Sequence, residues 1–417
     1  MRRFQVGIIG ILLLLIAIRF YFLYQNTSNY TNGQFVSFEV TLLSEPQVLG
    51  NVQKFSASPN GKDTIFITIP AYPQFHYGDV VRISSTIKER LLTNKKVVLT
   101  MYFPKIESVK NNQNYVLALT SIIRQKITAL FQKTLPATSA SLLLGIVFGF
   151  KEPMEKSFMD NLRIAGVLHV IAASGMNVTM LGGFVSRLCM IFFRRQTALF
   201  VTIVAILFYA TLAGLGSSII RASIMGILAF SAQILGRQYL ARYGIFLTGY
   251  TMLFLAPSLL FDIGFQLSFA ATVGILVIPP LFLKKEKIKR VIEKSVIGED
   301  VLTTIAAQIA TLPILFSNFG MYSAVSILVN GLVLWTIPVL MLLGSLGAVV
   351  GMVFAPLGQF FLYLALPFLL FFETIVRFFG SMQFGITLNT FPFSFVMAYY
   401  LFLFALVLWQ EKSFSSQ

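Results

Sequence analysis

The chain has 417 residues, of which 56% are hydrophobic and only 12% are charged. This composition excludes a soluble globular protein and predicts a polytopic α-helical membrane protein, because no soluble core needs so many apolar runs. Lysine and arginine number 32 against 16 aspartates and glutamates, which gives a net charge of +16. That excess of positive charge is expected if basic residues mark the cytoplasmic loops, or if the protein binds anionic lipid or a polyanionic substrate. Charge alone does not separate these explanations.

Several classes of chemistry are excluded by residues that the chain lacks. Its single cysteine, Cys189, cannot form an intrachain disulfide, and two histidines, His76 and His169, are too few for a histidine-rich metal site. The sequence has no phosphate-binding P-loop, no G-x-S-x-G, no H-E-x-x-H and no paired-cysteine motif. We therefore predict no catalytic residues, no metal and no cofactor.

The N-terminal third is predicted to contain an anchor, a β-domain and a surface helix. Residues 1–28 carry an apolar run long enough to span a bilayer without a cleavage site, which predicts an uncleaved transmembrane anchor. Residues 33–115 predict a small extracytoplasmic all-β domain inserted after the first transmembrane helix, with strands at 35–43, 52–57, 64–69, 80–88 and 97–103. Residues 117–135 predict an amphipathic helix at the membrane surface, with a partner-binding helix as the alternative.

Residues 136–412 are predicted to be a transmembrane domain with a defined orientation. Its first apolar run, 140–150, is too short to cross and is predicted to be re-entrant or half of a hairpin. Basic clusters at 194–195, 237–242 and 284–294 are separated by two spans each and so share one face. The positive-inside rule assigns that face and the N-terminus to the cytoplasm, and the β-domain to the outside of the cell membrane.

One apolar segment, 166–183, is interrupted by a histidine, a Ser-Gly pair and an asparagine. The pair Ser174-Gly175 is a plausible break in the helix, because glycine permits a sharp turn and serine caps a helix that restarts. Broken backbone inside a bilayer is tolerated where protein or a watery cavity satisfies it. Such a break would present the positive end of a helix, which favours anions.

This segment resembles the signature of the ComEC competence family, G-x-x-H-L-L-A-x-S-G-x-H. The positions His169, Ala172, Ser174 and Gly175 match, whereas Asn177 replaces the second histidine. Later stretches at 217–230, 262–276 and 306–330 are also similar, so that the resemblance covers residues 136–350 well. It implies a membrane channel that imports single-stranded DNA during natural transformation.

The resemblance also implies further parts and partners of the system. The external domain is expected to be OB-like, with Lys54, Lys62, Arg82, Lys95 and Lys96 as a DNA-landing surface. Core packing and solvation are the alternative reading of these β-domain charges and aromatics. Expected partners are single-stranded DNA, the lipid bilayer, an external DNA receptor and a cytoplasmic helicase-like ATPase. Many relatives carry a metallo-β-lactamase-like nuclease domain; no such motif follows Trp409, so a separate nuclease is expected.

Arg221 is the most informative charge, because it lies in apolar sequence near the start of a membrane helix, where the dipole disfavours a cation. It predicts an anionic neighbour. The structural alternatives are an ion pair with Asp262 or Glu373 or a snorkelling arginine, and the functional one is a phosphate, which the match to the family motif favours. Membrane histidine and amide groups are predicted to act as hydrogen-bonding or wall groups. The predicted DNA pathway consists of His169, Ser174, Gly175, Asn177, Arg221, Gln266, Ser268, Gln308 and Asn330.

Two other functions remain open. A small-solute secondary transporter could use the broken helix at Ser174-Gly175, although such folds usually show an internal repeat and we find none between the two halves. A membrane-embedded transferase acting on lipid-linked phosphate could use Arg221 and His169. It would need acidic groups or a metal near a membrane mouth, for which only Asp262 and Glu373 qualify. Strand-specific import would separate the DNA channel from both.

Overall fold

The computed structural model describes most of the chain. The described residues are 12, 14–22, 30–42, 46–49, 51–57, 59, 64–75, 78–91, 97–108, 115–150, 152–171, 175–283, 298–319, 321–323, 325–382, 385–387, 394–403 and 405. Seven of the described helices are long and apolar enough to cross a membrane. Together with the small N-terminal β region, they confirm the predicted class, a polytopic α-helical membrane protein with a small all-β domain.

Eight strands form the N-terminal β region, and all five predicted strand positions are occupied. The strands are β1 Phe35–Thr41, β2 Gln47–Leu49, β3 Val52–Ala57, β4 Ile65–Pro70, β5 Val80–Thr86, β6 Lys88–Leu91, β7 Val97–Tyr102 and β8 Lys105–Ser108. One sheet has the order β1-β5-β8 and the other β2-β3-β4-β7-β6, with β4 and β7 parallel. Among the described strands, the two sheets are linked through the chain, since β2 follows β1 and β6 follows β5.

The alternation of side chains along the strands explains the core of this region. Ile65, Ile67 and Ile69 of β4 are at most 1% exposed, because successive residues of a strand point to opposite faces and this set points inward. They pack with Ile83 of β5 and with Phe55 of β3. Phe55 is therefore a core residue of the β region.

Apart from one short β-ribbon, the regular structure in the rest of the described chain is helical. Residues 14–22 are helical and are here called α1. The other helices are α2 Tyr115–Thr134, α3 Ala137–Phe148, α4 Lys156–Ala165, α5 Leu168–Ile171, α6 Gly175–Phe192, α7 Arg195–Leu212, α8 Ser217–Ile234, α9 Ala241–Leu255, a 3-10 turn Pro257–Phe261, α10 Ile263–Leu283, α11 Gly298–Phe319, α12 Ser326–Val333, α13 Thr336–Val353, α14 Ala355–Ser381 and α15 Ser394–Leu403. A short ribbon pairs β9 Met321–Ser323 with β10 Gly385–Thr387.

The short helix α3 lies at the centre of the bundle. Every residue from Ser139 to Phe148 is buried, and its neighbours include α13, α14 and α2. A Cβ added to Gly344 of α13 would lie 2.7 Å from Val147, so a glycine lets the two helices approach closely. The C-terminal half of α2 also joins this core through Ile127 and Phe131, while its first half exposes Leu119 and Ile122.

A helix interruption in apolar sequence separates α13 from α14 at Phe354. The stretch between Gly344 and Gly358, which the sequence leaves open as bent or broken, is therefore divided into two helices. The break predicted at Ser174-Gly175 falls partly outside the described residues: α5 is described to Ile171 and α6 from Gly175, and residues 172–174 between them are not described.

Candidate functional site

The predicted cation Arg221 lies on the first turns of α8 and is buried, with 8% of its surface exposed. Its Nε donates a hydrogen bond of 2.7 Å to Ser268 Oγ, and its Nη1 donates one of 2.6 Å to Thr272 Oγ1. Ser268 and Thr272 are one turn apart on α10, so both hydroxyls face α8. The guanidinium is thus held by neutral acceptors on a neighbouring helix.

The start of α6 lies against the same guanidinium. A Cβ built on Gly175 would lie only 2.7 Å from Arg221 Nη2, so glycine permits the close approach. Among the described residues, no acceptor bonds this Nη2. The first amides of a helix carry partial positive charge and lack intrahelical acceptors. The guanidinium thus lies beside the first described residue of α6, and an anion would stabilise it there.

Neither acidic candidate neutralises Arg221. Asp262 Oδ1 accepts hydrogen bonds from Ser217 Oγ at 2.6 Å and from the Phe265 amide at 2.7 Å, and so caps the start of α10. Glu373 accepts a hydrogen bond of 2.6 Å from Ser139 Oγ inside the bundle. Within the described part of the chain, Arg221 forms no ion pair, so the alternative of an ion pair with Asp262 or Glu373 is not observed, and the favoured phosphate stays a prediction.

Comparison with known proteins then decides the family. Residues 146–413, more than half of the chain, match the family described as Competence protein. The chain belongs to the Competence protein family. ComE operon protein 3 of Bacillus subtilis (strain 168) is 24% identical over 226 residues, which cover 54% of this chain and 28% of that relative. The match therefore spans less than a third of the relative, and no solved structure matches the chain significantly.

Asn177 stands where the ComEC signature has its second histidine, and its role is visible in the structure. Its side chain is 1% exposed, and Nδ2 donates a hydrogen bond of 2.7 Å to the Ile146 carbonyl at the end of α3. Tyr209 of α7 donates one of 2.8 Å to the adjacent Val147 carbonyl. Because α3 ends within the bundle, these side chains satisfy carbonyls that a helix end leaves free. Asn177 thus caps a helix end, which gives it a structural role, and its place in the wall of the DNA pathway stays a prediction.

The other predicted pathway residues fall into separate places. His169 on α5 is exposed, while Ser174 lies outside the described residues. Gln266 Nε2 donates a hydrogen bond of 2.8 Å to the Leu260 carbonyl. Gln308 Nε2 donates one of 2.8 Å to Ser326 Oγ, which stands one helical turn before the buried Asn330. The structure therefore brings Gly175, Arg221 and Ser268 together, and it does not join the amides to them.

The sequence missed two hydroxyl groups at this site. Thr272 lies four residues after Ser268, and this spacing on a helix was a signal that the two share a face. Ser218 Oγ lies 3.1 Å from Ser268 Oγ and extends the polar strip toward the start of α8. Hydroxyls are short and occur throughout apolar helices, so only the juxtaposition of α8 and α10 distinguishes these two.

The two predicted DNA-landing residues that the structure describes, Lys54 and Arg82, lie on different sheets. Lys54 is exposed on β3. Arg82 of β5 forms an ion pair with Glu39, its register partner on β1, so its charge is neutralised locally. Lys62, Lys95 and Lys96 lie outside the described residues.

Proposed function

We propose that this protein is a membrane channel that imports single-stranded DNA into the cytoplasm during natural transformation. The observation that carries the proposal is the buried guanidinium of Arg221, which has hydroxyl partners, no carboxylate in the described chain, and the start of α6 beside it. A buried cation without a counter-charge is costly, and a passing phosphate would lower that cost. Membership of the Competence protein family supports DNA as the anion.

The groups around Arg221 suit the passage of a DNA strand better than its tight binding. A guanidinium and a helix end give a phosphate two donors in one place, while the hydroxyls of Ser218, Ser268 and Thr272 continue as a neutral polar strip. Conduction requires binding that is strong enough to admit a charge and weak enough to release it. Since every nucleotide brings another phosphate, a single mixed site of this kind exchanges phosphates rather than trapping one.

The orientation proposed from the basic clusters places the N-terminus in the cytoplasm and the β-domain outside. Arg19 of α1 donates a hydrogen bond of 3.2 Å to the Phe254 carbonyl near the end of α9. Both residues lie near the proposed external ends of their helices, so the contact supports the assignment. The two sheets of the β region, with β4 parallel to β7 in an otherwise antiparallel sheet, support an OB-like fold for the external domain.

The chain itself is proposed not to be an enzyme. Transport of a polyanion against its repulsion needs an energy source, for which we propose a cytoplasmic helicase-like ATPase. An external receptor would deliver the DNA, and a nuclease on a separate chain would degrade the other strand. Within the described residues, no cluster of histidine, cysteine and acidic side chains could hold a metal ion.

The charge of Arg221 is the first property to test. Arg221→Gln keeps a long polar side chain that can bond the hydroxyls of Ser268 and Thr272, but it removes the positive charge. We expect this variant to insert normally and to lose at least ~10-fold in the import of single-stranded label, because the phosphate loses its charged partner. Arg242→Gln, an exposed arginine on α9, is the matched control and should import normally.

Membrane insertion is measured by protease protection of a tagged chain, and import by label that resists external nuclease. Normal import by Arg221→Gln would contradict the channel assignment of this site. Arg221→Ala, which also removes the hydrogen bonds, should abolish import. If solute flux rather than DNA import responds to these variants, the transporter alternative is correct.

A further inference from the structure

The outward face of the sheet β2-β3-β4-β7-β6 carries two exposed aromatic side chains on adjacent strands. Phe66 of β4 is 48% exposed and Tyr102 of β7 is 43% exposed. The register pairs Phe66 with Thr100 and Thr68 with Tyr102, so both rings project from the same face of the parallel pair. The two rings are offset by two residues along adjacent strands, so they are diagonal neighbours on one face.

Three cations surround these rings. Lys54 of β3 pairs with Thr68, and Lys88 of β6 pairs with Thr100, so the register places both on the aromatic face. Arg90 donates a hydrogen bond of 3.2 Å from Nη1 to Tyr102 Oη. We call the surface formed by Lys54, Phe66, Lys88, Arg90 and Tyr102 the stacking face.

The charges of the stacking face differ from those of the other sheet. On the other sheet, Arg82 pairs with Glu39, and Lys105 Nζ lies 3.1 Å from Glu107 Oε1. The three cations of the stacking face form no ion pair with a described residue, and no acidic residue shares their face on the described strands. One face of the domain is thus balanced in charge and the other is uniformly positive.

Folding does not account for this pattern. Exposed aromatic rings contribute little to the core, which the isoleucines of β4 already fill. The next residue, Phe103, is 60% exposed and adopts a positive φ of 48°, a conformation that is unfavourable for a bulky side chain. A surface of aromatic rings among unpaired cations is complementary to unpaired bases joined by phosphates.

We infer that the stacking face binds single-stranded DNA, with bases on Phe66 and Tyr102 and phosphates on Lys54, Lys88 and Arg90. The inference rests on the proposed function, and it adds a DNA-binding site outside the membrane. Bases in a duplex are stacked on each other and offer no free ring faces, so this surface selects the single strand. The strands must therefore be separated before the DNA reaches this face, which places the reaction that removes the other strand upstream of it.

The test measures binding of a fluorescent oligothymidine to the full chain in nanodiscs of neutral lipid. We expect Phe66→Ala and Tyr102→Ala each to weaken binding roughly tenfold, since each removes one stacking platform. Tyr102→Trp, which keeps the ring system, should bind as the unmodified chain does. Replacing Lys54, Lys88 and Arg90 by glutamine should weaken binding and flatten its dependence on salt.

Matched controls come from the opposite sheet. Phe35→Ala removes a ring that is 67% exposed on β1, and Lys105→Gln removes a cation there. Both should leave binding unchanged. Unchanged binding after Phe66→Ala with Tyr102→Ala, or an equal loss after Phe35→Ala, would overturn the inference. The same would follow if the stacking-face variants lost affinity for anionic vesicles but not for the oligonucleotide.

The outcome is distinguishable from failure of the channel proposal. Arg221→Gln is scored by import, which should fail because its change lies in the bundle, and the stacking-face variants are scored by oligonucleotide binding. If Arg221→Gln imports normally while the stacking-face variants lose binding, the channel site is wrong and the stacking face stands. If the stacking-face variants bind normally and Arg221→Gln fails to import, the inference is wrong and the channel proposal stands.

Discussion

At the scale of single residues, polar side chains in this protein are best understood by what they satisfy. Arg221 and Asn177 both looked like pathway groups in the sequence, because both are polar residues in apolar runs. The structure separates them, since Arg221 presents a charge to neutral hydroxyls while Asn177 completes the end of α3. A buried charge without a counter-charge suggests a ligand, whereas a buried amide bonded to a carbonyl has a sufficient structural reason.

The role of Asn177 predicts a loss of stability on substitution. Asn177→Ala leaves the buried Ile146 carbonyl without its donor, which costs about 1–3 kcal/mol. We expect a lower unfolding temperature in detergent, measured by the loss of the folded peak in size-exclusion chromatography after heating. Asn177→His should recover most of the loss, because imidazole supplies an N–H and is the residue of the family signature.

The control for this prediction is Thr179→Ala on the same helix. The hydroxyl of Thr179 donates to the carbonyl of Met176 at an exposed position, where its loss should be nearly neutral. An unfolding temperature that is unchanged in Asn177→Ala would show that the carbonyl finds another donor, and the capping role would be wrong.

At the scale of elements, a proline inside α11 is compensated by a side chain of another helix. Pro313 lies inside α11, and a proline removes the N–H that would bond the carbonyl four residues earlier, here Ile309. Tyr399 of α15 donates a hydrogen bond of 3.0 Å to that carbonyl. The adjacent Tyr400 donates one of 2.8 Å to the Ala310 carbonyl, which a regular helix also satisfies internally. The last described helix thus compensates for a defect in α11.

This pairing predicts a difference between two neighbouring tyrosines. Tyr399→Phe should destabilise the protein by about 1–3 kcal/mol because the Ile309 carbonyl loses a donor that the helix cannot replace. Tyr400→Phe should cost less, since the Ala310 carbonyl keeps its intrahelical bond. The comparison uses the same heating assay, and equal effects of the two substitutions would contradict the explanation.

How far the sequence predicts these elements depends on the signal that each one carries. Alternation in 64–69 located β4, because the alternation of side chains along a strand follows local backbone rules. The central position of α3 was not predictable, since a short apolar run looks the same whether it faces lipid or protein. The ion pair of Arg82 and the exposure of Lys88 and Arg90 depend on strand register, which the sequence did not specify.

At the scale of the whole molecule, the proposed contacts with DNA lie in two places. The β-domain presents exposed rings and cations without an ion pair on one face, and the helical bundle presents the buried guanidinium of Arg221. The Arg221 site could be proposed from the sequence because a charge in an apolar run is conspicuous. The hydroxyl partners of Arg221 could not be predicted from the sequence, because their position beside it depends on how α8 and α10 pack together.

The central claim is that this chain carries one strand of DNA across the membrane. The most direct measurement is the import of end-labelled double-stranded DNA into protease- and nuclease-protected cytoplasm, comparing a deletion strain with the same strain that expresses this chain. The account predicts that protected single-stranded label is absent in the deletion strain and restored by the chain. Import that is unaffected by the deletion, with surface binding intact, would contradict it.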